Sequence, residues 1–103
     1  MEFRRRKWGW YLTLIKRHGF KVKLLWFKDG GEISLQRHKH RAELWLFVFG
    51  LGRMTVEDSR IFVGRGFVQS VPKMAWHHYE ALRRTLVIEV QIGKCDEEDI
   101  ERG

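Results

Sequence analysis

Short apolar segments recur along the chain with turn residues between them, the arrangement of a sandwich or barrel. The first is Trp10 to Ile15. Phe20-Lys21-Val22-Lys23-Leu24 alternates strictly, which predicts a strand with Phe20, Val22 and Leu24 on one face and the lysines on the other. Asp29-Gly30-Gly31 predicts a turn, and Ile33 to His38 and Leu44 to Phe49 are the next extended pieces. Gly50-Leu51-Gly52 predicts a hairpin-like turn before Arg53 to Val56, and Glu57-Asp58-Ser59 turns again into Ile61 to Val63. Gly64-Arg65-Gly66 leads to Phe67 to Val71. After Pro72 come Trp76 to Tyr79 and Thr85 to Ile92, where Leu86-Val87-Ile88 reads as well buried. Only the acidic stretch Asp96 to Arg102 predicts a short helix, with Asp96 as N-cap. Nine or so strands without a helix between them make an all-β, antiparallel domain.

At 103 residues the chain fits one domain, and 44% hydrophobic with 32% charged residues excludes a disordered one. The lone Cys95 excludes an internal disulfide framework and a cysteine-based zinc knuckle. Net charge changes the picture more. Five acids fall in the tail, so residues 1–93 carry 18 bases against 8 acids. A body this basic attracts anions such as phosphorylated metabolites, nucleic acid or an anionic membrane. Arg65-Gly66-Phe67 begins an RNA-binding signature that the next residues do not continue, so nucleic acid is not the expected partner. No run approaches the ~20 apolar residues that cross a bilayer. The apolar run after Arg4-Arg5-Arg6-Lys7 is cut by Lys16-Arg17-His18 with no cleavage site following. The expected location is cytoplasmic.

Four of the five histidines fall in two groups, His38 with His40 and His77 with His78. A strand places Gln36, His38 and His40 on one face. Glu43 follows, and His77 must fold back to meet them, while His78 would point away. Imidazole and carboxylate converging on one point make a divalent-metal site, and mixed nitrogen and oxygen donors admit zinc, manganese, iron, nickel or cobalt. Cys95 has no basic neighbour and no assigned role.

The spacing resembles the two motifs of the cupin superfamily. Gly30 is followed by five residues, Gln36-Arg37-His38, four residues, Glu43, six residues and Gly50. A second register, His38-Lys39-His40, shortens the gap to Glu43. Gly66, Pro72, Met74 and His77 resemble the second motif, with Met74 in place of a usual glycine and Ala81 in place of a usual asparagine. Lys7 to Tyr11, Phe20 to Lys23, Ser34 to Glu43, Val90 to Gly93 and Glu97 to Ile100 narrow the resemblance to the type II mannose-6-phosphate isomerase family. That resemblance covers roughly residues 5–102.

It implies a single cupin barrel over residues 1–103, with a core at about 8–93, a basic arm at 1–7 and an acidic tail at 94–103. It also implies a homodimer and an isomerase domain without the nucleotidyltransferase found in bifunctional relatives. The implied reaction interconverts mannose 6-phosphate and fructose 6-phosphate through an enediol. Gln36, His38, Glu43 and His77 would hold the metal. His40 is left as base or as a further ligand. Arg41, Lys39 and Lys73 would clamp the phosphate at the cavity mouth, Arg41 best by its geometry and without effect on the metal. Trp45 and Trp76 flank the ligands. Leu44 stands where that family has a histidine and would remove a polar contact, while Met74 would narrow the mouth. The alternative is a cupin with another metal-dependent activity, such as oxygenation, or one that binds sugar or metal without turnover.

Overall fold

The computed structural model describes residues 1–103 as nine strands and no helix. They are β1 (Glu2–Arg6), β2 (Gly9–Arg17), β3 (Phe20–Phe27), β4 (Gln36–Arg37), β5 (Arg41–Val56), β6 (Ser59–Gly64), β7 (Val68–Val71), β8 (His77–Gly93) and β9 (Glu101–Arg102). Every pairing is antiparallel. The long strands β5 and β8 pair along nearly their whole length and bend from one side of the barrel to the other. One end of that ribbon carries β1, β2, β3 and β7, and the other carries β4, β6 and β9. The all-β antiparallel barrel expected from the alternation is the fold observed.

The bend explains one departure from the sequence expectation. Gly50-Leu51-Gly52 is not a turn but the middle of β5, where the register against β8 shifts between Phe47 and Gly52. Gly50 has φ 116°, and a side chain there would strike Thr85. Gly52 lies against the Tyr79 ring, so both glycines serve close strand contact and a bulge.

The two faces of β3 separate as the alternation predicts, and the structure decides which is inside. Lys21 and Lys23 face the barrel interior, exposed to only 2% and 4%, whereas Phe20, Val22 and Leu24 face outward. The interior is divided. Tyr11, Leu25, Phe27, Trp45, Phe47, Met54, Val63, Tyr79 and Val87 form an apolar core. Beyond it the inward rows are polar: Lys21 pairs with Gln91 and Gln91 with Glu43, while Lys23 pairs with Glu89 and Glu89 with Trp45. Apolar residues outside and polar residues inside invert the usual reading of an alternating strand.

Both termini join the fold. The basic arm is an edge strand paired to β2 from Glu2↔Thr13 to Arg6↔Gly9. The expected tail helix does not form. Residues 96–100 make a turn and β9 pairs with β4. Three of the five tail acids find tertiary partners: Glu97 binds Lys21 and Lys23, Asp99 caps the N–H groups of Lys39 and His40, and Glu101 binds Arg37. Such contacts outweigh a helix of under two turns, which is marginal alone. No helix is long and apolar enough to cross a membrane.

Candidate metal centre

His38, Glu43 and His77 reach one point from three segments: the β4–β5 loop, the start of β5 and the start of β8. All three are buried. One donor atom from each lies within 4.8 Å of the others. His38 Nε2 is 3.2 Å from Glu43 Oε2, and His77 Nε2 is 3.6 Å from Glu43 Oε1. Ligand atoms about 2.1 Å from a common ion stand roughly 3.0–3.4 Å apart, so the spacing fits a divalent cation.

The imidazoles are oriented for that role. His38 Nδ1 lies 2.6 Å from the Asp99 carbonyl and His77 Nδ1 3.1 Å from that of Ala75. A carbonyl only accepts, so each Nδ1 carries the proton and each Nε2 turns a lone pair toward Glu43. Burial and the Arg41 charge lower the His38 pKa to about 4, and burial also lowers that of His77. Neutral imidazoles beside a carboxylate are donors waiting for a cation. Glu43 is fixed by Trp45 Nε1, which donates to Oε1 at 3.0 Å.

A cation is already close. Arg41 is buried, not at the cavity mouth; its Nε donates to Glu43 Oε2 at 3.0 Å and its Nη2 lies 3.1 Å from His38 Nε2. Its Nη1 has no partner. Arg41 thus holds one atom on each of two of the three candidate donor residues, Glu43 and His38, in place of the expected position at the mouth.

The trio opens into a cavity of about 600 Å³. Gln36 lines it, but its Nε2 donates to the Ser34 carbonyl at 3.2 Å. His40 does not line it and is exposed, with its backbone N–H held by Asp99. The structure thus offers His40 no position as base or ligand, because the loop before β5 turns it outward. Lys39 and Lys73 are also exposed and away from the cavity. The basic residues that do line it are Arg6, Lys7, Lys23, Arg41 and Arg102. Trp45 walls the cavity and Trp76 does not; Trp76 instead lies under the Arg37 guanidinium. Leu44 points outward, so its replacement of a histidine removes nothing from the site. His78 faces Glu32, away from the trio.

Glu89 is the functional candidate that motif spacing missed. It lies on β8, is 5% exposed and lines the cavity. Burial, and then the charge of Glu43, raise its pKa to about 7. Gln91 Nε2 donates to Glu89 Oε1 at 2.8 Å, while Gln91 Oε1 is buried without a partner. The available signal was Glu89 and Gln91 interrupting the otherwise apolar stretch Leu86 to Ile92, which marks two polar side chains on one face.

Comparison with known proteins agrees with the barrel. An RmlC-like cupin from Shewanella frigidimarina superposes with a TM-score of 0.85 at 19% identity, covering 94% of this chain and 86% of that one. Oxalate decarboxylase from Bacillus subtilis superposes with a TM-score of 0.87 at 22% identity, covering 98% of this chain and 29% of that one. By sequence, the alginate biosynthesis protein AlgA of Pseudomonas aeruginosa is 34% identical over 94% of this chain and 21% of its own length. The mannose-1-phosphate guanylyltransferase of Sinorhizobium fredii is 31% identical over 94% of this chain and 20% of its own length. The chain therefore spans about a fifth of these curated relatives. The family described as mannose-6-phosphate isomerase C-terminal matches residues 2–103, and this cupin barrel belongs to it.

Proposed function

We propose that the protein is a metal-dependent aldose–ketose isomerase of a phosphorylated hexose, interconverting mannose 6-phosphate and fructose 6-phosphate through an enediol. One observation carries the reading: two neutral imidazoles with the Glu43 carboxylate, a second carboxyl group with a pKa near neutrality and buried cations share one cavity. The family and the sugar-phosphate enzymes among its relatives support the substrate class.

His38, Glu43 and His77 would hold the divalent ion, with Gln36 beside them. Such an ion, when bound, stabilises negative charge developing on the sugar oxygens. Glu89 is the proton carrier. Its raised pKa lets the carboxylate take a proton from one carbon and return it to the neighbouring carbon near neutral pH. The unpartnered Arg41 Nη1 donates to, and Gln91 Oε1 accepts from, the sugar's hydroxyl groups. Trp8, Tyr11 and Trp45 wall the cavity against water. A coupled assay for mannose 6-phosphate conversion, run with zinc, manganese, iron, nickel and cobalt, tests the reading. Turnover with at least one ion is expected; none with any ion rejects it.

Arg41 favours a second reading. A guanidinium already occupies two of the donor atoms, as suits a sugar-binding cupin that needs no metal. Sugar-phosphate binding unchanged by a chelator, together with absence of turnover, would select it.

The proposal also includes a second copy of the chain. The outer face of β2, β3, β8, β5 and β7 carries the cross-strand rows Leu12–Leu24–Ile88–Leu46–Val68 and Ile15–Val22–Val90–Leu44. Trp10–Trp26–Leu86–Phe49 flanks them, and none of these residues is charged. Three rows about 7 Å apart across strands about 4.8 Å apart cover roughly 400 Å². That is within the ~300–600 Å² range of the largest monomer patches, which are often functional. A two-fold axis would lay this uncharged face on itself without stranding a charge.

A further inference from the structure

Lys21 and Lys23 are the most deeply buried ammonium groups of the protein, exposed to 2% and 4%. Both Nζ atoms converge on one oxygen, Oε1 of Glu97, at 2.9 and 2.6 Å. Burying two cations requires counter-charge, and Glu97 supplies a single negative charge to the pair. Burial alone would raise its pKa, but the hydrogen bonds and charges of Lys23 and Lys21 outweigh this and hold it at about 2. Glu97 is nevertheless unlike a core counter-ion. Its side chain is 48% exposed, and it sits on a turn between β8 and β9 and not on a strand of the barrel.

Lys23 and Glu97 line the same cavity as His38, Glu43 and His77. The Tyr11 ring lies 4.2 Å from Lys23 Nζ and 5.4 Å from the Arg6 guanidinium carbon, so a third cation stands over the same wall. The surroundings of the Glu97 carboxylate are therefore those of an oxyanion seat: two buried ammoniums, a guanidinium nearby and one half-exposed acid in residence. We infer that Lys21 and Lys23 seat the phosphate ester of the ligand, and that Glu97 occupies this seat as an internal stand-in which the phosphate displaces.

The inference rests on the phosphosugar reading and names its phosphate subsite. A phosphate dianion would supply two negative charges to a pair now holding one, and its several oxygens would let each ammonium have its own acceptor. Glu97 can leave without unfolding the tail. Asp99 still binds the N–H groups of Lys39 and His40, and β9 still pairs with β4. Keeping Glu97 over the empty seat prevents bare buried ammoniums and lowers the apparent phosphate affinity in proportion to the fraction of time that the seat is open.

The test is titration of the full chain with inorganic phosphate and with mannose 6-phosphate in EDTA at fixed ionic strength, followed by calorimetry, with mannose as control. Glu97→Gln should tighten both phosphate ligands by about fivefold or more. Lys23→Met, and separately Lys21→Met, should weaken them by about tenfold or more. Mannose should respond to neither change. Unchanged or weaker phosphate binding by Glu97→Gln makes Glu97 a plain structural counter-ion and overturns the inference, as does absence of phosphate binding by the wild type. Should the lysine variants fail to fold, hydrogen exchange on the wild type decides. Saturating phosphate should speed exchange of the Glu98 amide, which donates to Asp96 Oδ1 beside Glu97, and slower or unchanged exchange overturns it. The two proposals fail separately. Tightening by Glu97→Gln without isomerase turnover rejects the activity alone, and turnover with KM unaffected by Glu97→Gln rejects the phosphate seat alone.

Discussion

Arg41 Nε donates to Glu43 Oε2 across 3.0 Å, placing a fixed cation on a carboxylate that also serves the candidate metal site. The same guanidinium touches His38 Nε2. Arg41 and a divalent ion therefore compete for the same atoms. Arg41→Met should strengthen zinc or manganese binding by about tenfold, the equivalent of one charge-assisted hydrogen bond of about 1.5 kcal/mol. Competition against a chelating dye measures this. Weaker metal binding would mean that Arg41 orients Glu43 instead of blocking it.

Met74 has φ 66°, a left-handed conformation that a side chain bearing Cβ adopts at a penalty. Its N–H donates to the His38 carbonyl at 2.8 Å, which explains why this loop holds that conformation. Met74→Gly should stabilise the protein by about 1 kcal/mol, a rise of roughly 4–8 °C in Tm. Met74→Ala, which keeps the Cβ, should give no such gain. Calorimetric melting of the two variants separates backbone strain from side-chain packing, since Met74 is exposed.

Burial, followed by the charge of Arg41, holds His38 neutral down to about pH 4. Between about pH 6.5 and 4 the unfolded chain binds a proton at this position and the folded chain does not. The contribution of His38 to stability is therefore lost as pH falls through that window, by about 3 kcal/mol at most. Glu89 acts in the opposite sense. Its raised pKa gives stability that is present below about 4.5 and lost as pH rises through about 7. In EDTA, the His38 imidazole signal followed by NMR should titrate near 4. A midpoint near 6.5 would contradict the burial and the charge placed beside it.

The outward row through Leu24, Ile88 and Leu46 provides the test of the paired barrel. Ile88→Lys should shift a dimer to monomer in sedimentation while leaving the far-ultraviolet dichroism unchanged, because Ile88 packs outside the core. A wild type that sediments as a monomer at micromolar concentration would contradict the pairing.

The strands and the barrel were legible in the sequence because turn residues bracket nearly every apolar segment, as Glu57-Asp58-Ser59 does between β5 and β6. The convergence of His38, Glu43 and His77 followed from motif spacing, which reflects how far apart two strands place residues that meet inside a barrel. Alternation alone could not say which face of β3 is inside. The rule that apolar residues point inward fails where the inner face lines a polar cavity and the outer face is apolar. His40 was misplaced for a related reason: two-residue periodicity holds only within a strand, and β4 ends at Arg37. Arg41 and Glu97 were not legible either. Arg41 and Glu43 share a face of β5 two residues apart, but that this face is buried is decided by the closed barrel, and Glu97 meets Lys21 from 76 residues away.

Proton transfer by Glu89 beside a His/Glu/His site is tested most directly by the coupled mannose 6-phosphate assay on wild type and Glu89→Gln, each loaded with the same metal. The expected result is wild-type turnover and a loss of about 10²–10⁴-fold in kcat for Glu89→Gln, with metal content unchanged. Glu89→Gln turning over at the wild-type rate, or wild type without turnover despite bound metal and bound sugar phosphate, would contradict it.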